Sequence, residues 1–317
     1  MTHPATLHVA AAQYPIGQPK SLSEWEDKIA VWVKSGAATG AQLLVFPEYA
    51  AIEQAACFGP EVYSDLTITL TKVAELAASR VALHADLAKR HSVHILVGSG
   101  PVLKSDGTFV NATQLVTPDG QIGEQEKLIM TPFEHGWGIS AGGPVRVFET
   151  RIGTFGIAIC YDSEFPLLVR AMAEAGADVV LVPSCTERIS GYHRVRTGSM
   201  ARALENTIAT VQSPTVGDAP WSPAVDFNEG AAGIYVPSEH GVSDDGVLAI
   251  GKLNAAEWVS GTIDLARLRH VRETGEMRNY ADWSNQPGSP MSSHADMSDA
   301  WADIAATQGP MVLPPRK

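Results

Sequence analysis

The chain is built from short, continuous apolar runs, each stopped abruptly by a proline or a polar residue, and this punctuation most restricts what it can fold into. LHVAAAQ at residues 7–13 ends at Tyr14-Pro15, LLVF at 43–46 ends at Pro47, HILVGSG follows at 94–100, GIAIC closes at Cys160 and DVVLVPS stops at Ser184. Runs this short and this apolar read as strands buried on both faces. Between them lie stretches with helical spacing: one opening at Ser21, one expected as a single long helix over 65–91, and others near 167–175 and 191–206. Asp106-Gly107, Asp119-Gly120 and the turn around Arg151 separate β-rich runs, which predicts antiparallel hairpins. Strands, helices and hairpins alternate without an internal period or a clear linker. A single large α/β or α+β domain over residues 1–272 is the expectation. Residues 273–317, rich in Pro, Ser, Asp, Met and Ala, are expected to form an irregular tail packed on that domain or on a partner subunit.

Charge and cysteine usage narrow the function classes. The 317 residues carry 35 acidic against 23 basic side chains, a net charge of -12, and show no Lys/Arg block. Such a surface argues against nucleic acid and anionic membranes as partners. Three cysteines, Cys57, Cys160 and Cys185, are too few and too odd in number for a disulfide framework, which fits a reducing compartment. No cationic leader and no run of 18 apolar residues is visible, so the expected location is cytoplasmic.

Three segments, each an apolar strand or a hairpin, end on reactive groups. Glu48 follows LLVFP, Lys127 follows IGEQE, and Cys160 ends GIAI on a tight strand-to-helix turn before Pro166. A thiol attacks a carbonyl or nitrile carbon only as thiolate, so it needs a nearby base and nearby positive charge. A carboxylate supplies the first and an ammonium the second; the lysine and the backbone N–H after Cys160 can also face a developing oxyanion. Taken singly, Cys160 reads as a buried structural cysteine, Glu48 as a helix cap and Lys127 as a solvated surface residue. Their common placement at strand ends favours chemistry over those readings.

Taken together and in order, VAAAQ, FPEY, the Lys127 segment, GIAICYDSEFP, ADVVLVPS and RALEN resemble the nitrilase superfamily of carbon-nitrogen hydrolases over residues 7–264. The resemblance implies a four-layer αββα sandwich and pairing into a homodimer or higher homo-oligomer. It also implies a catalytic triad of Glu48, Lys127 and Cys160, with Glu134 as a second glutamate that positions substrate and lysine. The implied reaction needs no metal and no organic cofactor. It runs by thiolate attack, release of ammonia or amine protonated by Glu48, and hydrolysis of the thioester by water that Glu48 activates.

Tyr161-Asp162 after the cysteine, where true nitrilases usually place Trp-Glu, tilts the substrate toward a small linear amide or N-carbamoyl compound. KLIMTPFE is similar to a pattern of true nitrilases and keeps a nitrile substrate as the alternative. A non-catalytic, thiol-bearing binding or redox-sensing protein is the alternative from another class. Tyr49, Trp137, Tyr161 and Thr186 neighbour the reactive positions and are candidates to line the substrate pocket, though each suits a packing role equally. Asp162 is expected to be structural, paired with Arg202 or Arg170, and Cys185 to be a spectator beside the site. His91 and His94 read as surface or helix-end residues, and the sequon Asn111-Ala112-Thr113 carries no weight in a cytoplasmic chain.

Overall fold

A computed structural model describes residues 4–286. In chain order the strands are β1 (Thr6–Pro15), β2 (Leu43–Val45), β3 (His94–Leu96), β4 (Gly100–Leu103), β5 (Phe109–Val116), β6 (Ile122–Glu126), β7 (Val147–Thr150), β8 (Gly153–Ile157), β9 (Val179–Ser184), β10 (Ala209–Val216), β11 (Gly233–Tyr235), β12 (Val247–Ile250) and β13 (Glu257–Asp264). The helices are α1 (Leu22–Ala37), α2 (Pro60–Tyr63), α3 (Leu66–Glu75), α4 (Ala77–His91), α5 (Pro132–Gly136), α6 (Pro166–Glu174), α7 (Ile189–Asn206) and α8 (Leu265–Thr274).

The strands form two sheets. In the first, β1, β2 and β3 run parallel, β13 closes antiparallel on β1, and β5 carries β4 and β6 in the expected hairpins. In the second, β8, β9 and β10 run parallel, flanked by the β7 hairpin and by β11 with β12. The two sheets meet where β1 and β10 pair in parallel at Tyr14 with Thr215 and Pro15 with Val216. Their parallel strands therefore deliver their carboxyl ends to one region, the edge where α/β sheets gather ligands.

Alternation along β1 explains the layering. Val9 and Ala11 face the second sheet, in a core shared with Ile157, Val180 and Val211. Ala10, Ala12 and Tyr14 face the other way and pack with Trp25, Ile29 and Val33 of α1. Helices α1, α3 and α4 cover the first sheet; α6 and α7 cover the second, where Met172 lies so close to Gly156 that an added Cβ would sit 2.7 Å from its sulfur. The arrangement is the αββα sandwich that the sequence leads one to expect.

Local sequence accounts for several helix starts. Ser21 caps α1 by accepting from the Glu24 N–H, and Asp65 caps α3 by accepting from Ile68. Residues 65–91 depart from expectation, forming two helices with a break at Leu76. There the Val73 carbonyl accepts from the Leu76 N–H at 3.2 Å and from Arg80 Nη1 at 3.3 Å, so the ladder tightens and restarts. His94 also departs: it is buried in β3 and donates its backbone N–H to the Gln42 carbonyl, whereas His91 does end α4.

Met1–Ala281 forms one compact unit, and Asp282 opens a second. The segment expected to be an irregular tail lies, from residue 287 onward, outside the described residues. Among the described residues no helix is long and apolar enough to cross a membrane.

Candidate active site

Each reactive residue sits where regular structure stops. Pro47 ends β2 and leaves Glu48 and Tyr49 on a turn in which Tyr49 takes a left-handed φ of 54°. Cys160 follows β8 in the same way, with a φ of 48°, and opens a short 3-10 turn, Cys160–Glu164. A non-glycine residue held there costs about 1–3 kcal/mol, which the surrounding packing must over-determine. Lys127 leaves the end of β6, its N–H donated to the Asn111 carbonyl of β5 at 2.8 Å. Glu134 lies in α5, where Thr131 caps the helix through a reciprocal capping box.

These elements bring Glu48, Lys127 and Glu134 into one buried cluster. The Lys127 Nζ donates to Glu48 Oε1 and to Glu134 Oε2, both at 2.7 Å, and all three side chains are at most 2% exposed. Asn111 donates to Glu48 Oε1 at 3.0 Å and to Glu134 Oε1 at 3.3 Å. The Tyr49 hydroxyl donates to Glu134 Oε1 at 2.7 Å, and Thr131 supplies its N–H and hydroxyl to Oε2, each at 2.9 Å. Glu48 Oε2 accepts the Cys185 N–H at 3.1 Å. The Cys160 thiol points its Sγ at the Cys185 carbonyl at 3.8 Å, and Glu48 and Cys160 are near enough to act on each other's titration.

Burial and these neighbours set the protonation states. Burial pushes the Glu48 carboxyl up to about 7, against the pull of Lys127 and with a contribution from Glu134. Burial opposes charge on Lys127 too, but Glu48 and Glu134 outweigh it and hold the ammonium above its usual range. Burial also works against Glu134, and Lys127 nevertheless keeps its carboxyl below the ordinary value. The Cys160 thiol is raised well above the thiol range, by burial first and then by Glu48. Near neutral pH the Cys160 thiol is therefore held neutral, beside a carboxyl that titrates in that range.

A cavity of about 610 Å³ opens above this cluster. Glu48, Lys127, Glu134 and Cys160 all line it, as do Tyr49, Trp137, Tyr161 and Thr186, so the eight residues singled out from sequence converge on one space. Tyr49 and Trp137 meet edge to face at 5.7 Å. Toward the mouth, Glu164 accepts from Arg194 at 2.6 Å, and Arg188 is exposed.

Asp162 corrects the sequence reading. It pairs with neither Arg202 nor Arg170; its carboxylate accepts the backbone N–H groups of Leu128 and Ile129 at 3.1 and 2.8 Å. It thereby ties the turn that carries Cys160 to the loop that follows Lys127. Burial pushes its carboxyl up to about 6, these N–H groups pulling the other way. Arg202 instead pairs with Glu205 and reaches the Ser163 carbonyl. Cys185 contributes through its main chain, and Asn111, set aside in the sequence as an uninformative sequon, bridges the two glutamates. Its mid-strand position carried no signal beyond being a polar side chain in an apolar hairpin.

The chain's likeness to known proteins follows this geometry. The family model for carbon-nitrogen hydrolase matches residues 8–272. "Probable hydrolase YhcX" of Bacillus subtilis (strain 168) is 36% identical over 282 residues, 87% of this chain and 53% of the relative. The chain thus spans about half the length of the curated relatives it matches first. A carbon-nitrogen hydrolase structure from Helicobacter pylori G27 superposes with a TM-score of 0.71 at 17% identity, covering 96% of this chain and 99% of the other. A mutant of the amidase from Nesterenkonia sp. AN1, showing covalent addition of the acetamide moiety of fluoroacetamide at its active-site cysteine, superposes at 0.64 with 20% identity, covering 84% and 94%. With a family match across most of its length, this chain belongs to the carbon-nitrogen hydrolase family.

Proposed function

We propose that the protein is a thiol amidohydrolase acting on a small linear amide or N-carbamoyl compound, with Glu48, Lys127 and Cys160 as its catalytic residues and Glu134 in support. The observation that carries this reading is the buried Lys127 held between Glu48 and Glu134 beside the Cys160 thiol, at the base of a cavity. As the substrate carbonyl approaches, the Cys160 proton passes to Glu48 and the sulfur bonds the carbonyl carbon. The oxyanion faces the Lys127 ammonium and the Tyr161 N–H, one of the first N–H groups of a helical turn and so without an intrahelical acceptor. Glu48 returns the proton to the departing nitrogen as the C–N bond breaks, leaving a thioester. It then takes a proton from water as the hydroxyl adds to the thioester, and gives it back to the Cys160 sulfur as the acid leaves. Tyr49, Trp137, Tyr161 and Thr186 shape the acyl pocket in this reading. The acetamide moiety of fluoroacetamide bound to the active-site cysteine of the Nesterenkonia amidase supports a nucleophilic cysteine at the corresponding place on this fold. A homodimeric or larger cytoplasmic enzyme is the expected setting.

Ammonia release from a panel of amides, N-carbamoyl compounds and nitriles tests the proposal. Amide or carbamoyl turnover that disappears in Cys160→Ala is the expected result. Turnover of nitriles alone would replace the amide reading with the nitrilase alternative, which the KLIMTPFE segment favours. Hydrolysis unchanged in Cys160→Ala would remove the thiol from the mechanism.

A further inference from the structure

We infer that Asn111 is a positioning residue that leaves Glu48 Oε2 as the oxygen carrying the catalytic proton and denies Glu134 any such role. The inference rests on the reading of Glu48 as the base. Asn111 is wholly buried in β5 and does not line the cavity, so it acts through the groups it touches. A carboxylate oxygen offers two in-plane lone pairs. On Glu48, Oε1 already accepts from Lys127 Nζ at 2.7 Å and from Asn111 Nδ2 at 3.0 Å, and is filled. Oε2 accepts the Cys185 N–H at 3.1 Å and keeps one lone pair for the proton that leaves Cys160.

Glu134 differs. Its Oε1 is occupied by the Tyr49 hydroxyl and Asn111, and its Oε2 by Lys127 and by two donors of Thr131. It has no lone pair to offer and stays an anion that fixes the lysine. Two carboxylates equidistant from one ammonium thus acquire different roles from their hydrogen-bond occupancy, and Asn111 contributes to both. Its amide orientation follows from the same contacts. Turned over, Oδ1 would face two carboxylate oxygens, whereas as it stands Oδ1 has no partner among the described residues and competes for nothing. The Asn111 carbonyl, which holds the Lys127 N–H, is main chain and survives substitution.

The titratable groups facing Glu48 are Lys127 from the end of β6, Glu134 from α5, Cys160, Cys185 and neighbouring Tyr49. Asn111→Leu keeps the side-chain length and removes the donor; Asn111→Ala is the second variant should the leucine fail to fold. Alkylation of Cys160 by iodoacetamide, followed against pH and located by peptide mass, needs no known substrate. Loss of a donor to the carboxylate disfavours its ionised form, so the midpoint of Cys160 reactivity should move up by about one pH unit, a tenfold drop in ionised Glu48 at fixed pH below the midpoint. A purely structural role lowers the yield of folded protein or the plateau and leaves the midpoint in place. An unmoved midpoint in both variants, with a profile that still disappears in Glu48→Gln, would overturn this inference alone. A Glu48→Gln profile identical to that of the unaltered protein would overturn the reading of Glu48 itself.

Discussion

Replacing Lys127 by methionine keeps an unbranched chain of similar length and removes the charge on which the cluster turns. Lys127 Nζ lies 2.7 Å from both Glu48 Oε1 and Glu134 Oε2 in a space these side chains share almost without solvent. Removing one partner of a buried ion pair costs about 3–5 kcal/mol, because an uncompensated charge stays behind. Here two carboxylates lose their counter-ion at once, so that range is the least to expect near neutral pH. The native variant relieves the penalty by taking up protons, which raises the folded-state values of both carboxyls. The unfolded reference is 4.5, and above it the native variant binds more protons than the unfolded chain, so its stability falls as pH rises. Each unit of raised value is worth about 1.4 kcal/mol per carboxyl. Glu48 is already raised to about 7 in the unaltered protein and Glu134 is not, so the deficit of Lys127→Met should grow through Glu134 from pH 5 and more steeply above pH 7, where Glu48 adds to it. Urea unfolding midpoints at matched slopes, taken at several pH values, measure it. A deficit independent of pH would refute the claim that the two glutamates lean on the ammonium, and no deficit at all would refute the buried triad of charges.

Other perturbations probe the framework. Turnover expressed as kcat/KM should fall on the acid side with a midpoint near the value of about 7 to which burial lifts Glu48, since the protonated carboxyl cannot receive the thiol proton. Gly98→Val should destabilise by about 1–3 kcal/mol in thermal melts and raise KM. A Cβ at Gly98 would lie 2.6 Å from the Ala50 Cβ and 3.3 Å from the Pro47 carbonyl, on the turn that carries Glu48 and Tyr49. Asp162→Ala orphans the Leu128 and Ile129 N–H groups, at about 1–3 kcal/mol each, and hydrogen exchange at the Ile129 amide should quicken more than at the strand centres.

The parts of this protein that could be read from sequence are those whose physics is local. A strand announces its end by a proline or a polar residue, and Glu48, Lys127 and Cys160 stand at such ends, so their common placement was legible, while the meeting of ends from two sheets was not. Hairpin turns at Asp106-Gly107 and Asp119-Gly120 were legible because few residues take positive φ; both glycines adopt it, at 86° and 87°. Glu134 was marked only by resemblance to known sequences, since a glutamate in a capping box looks the same whether or not a lysine reaches it. At the break, Arg80 reaches the Val73 carbonyl, a contact that helical spacing alone does not reveal.

Asn111 and Asp162 were illegible for a further reason: their partners are distant in sequence, and no local pattern distinguishes a buried polar side chain with a task from one on a solvated face. Asn111 meets Glu48 across 63 positions, and Asp162 meets Ile129 across 33. Asn111 ties the Glu48 turn to Glu134 of α5, and Asp162 ties the Cys160 turn to the loop after Lys127. In a site assembled from strand ends of two sheets, each end is free to drift independently unless such cross-ties exist. In the proposed mechanism the cross-ties would hold Cys160 and Glu48 to the close tolerance that proton transfer between them demands.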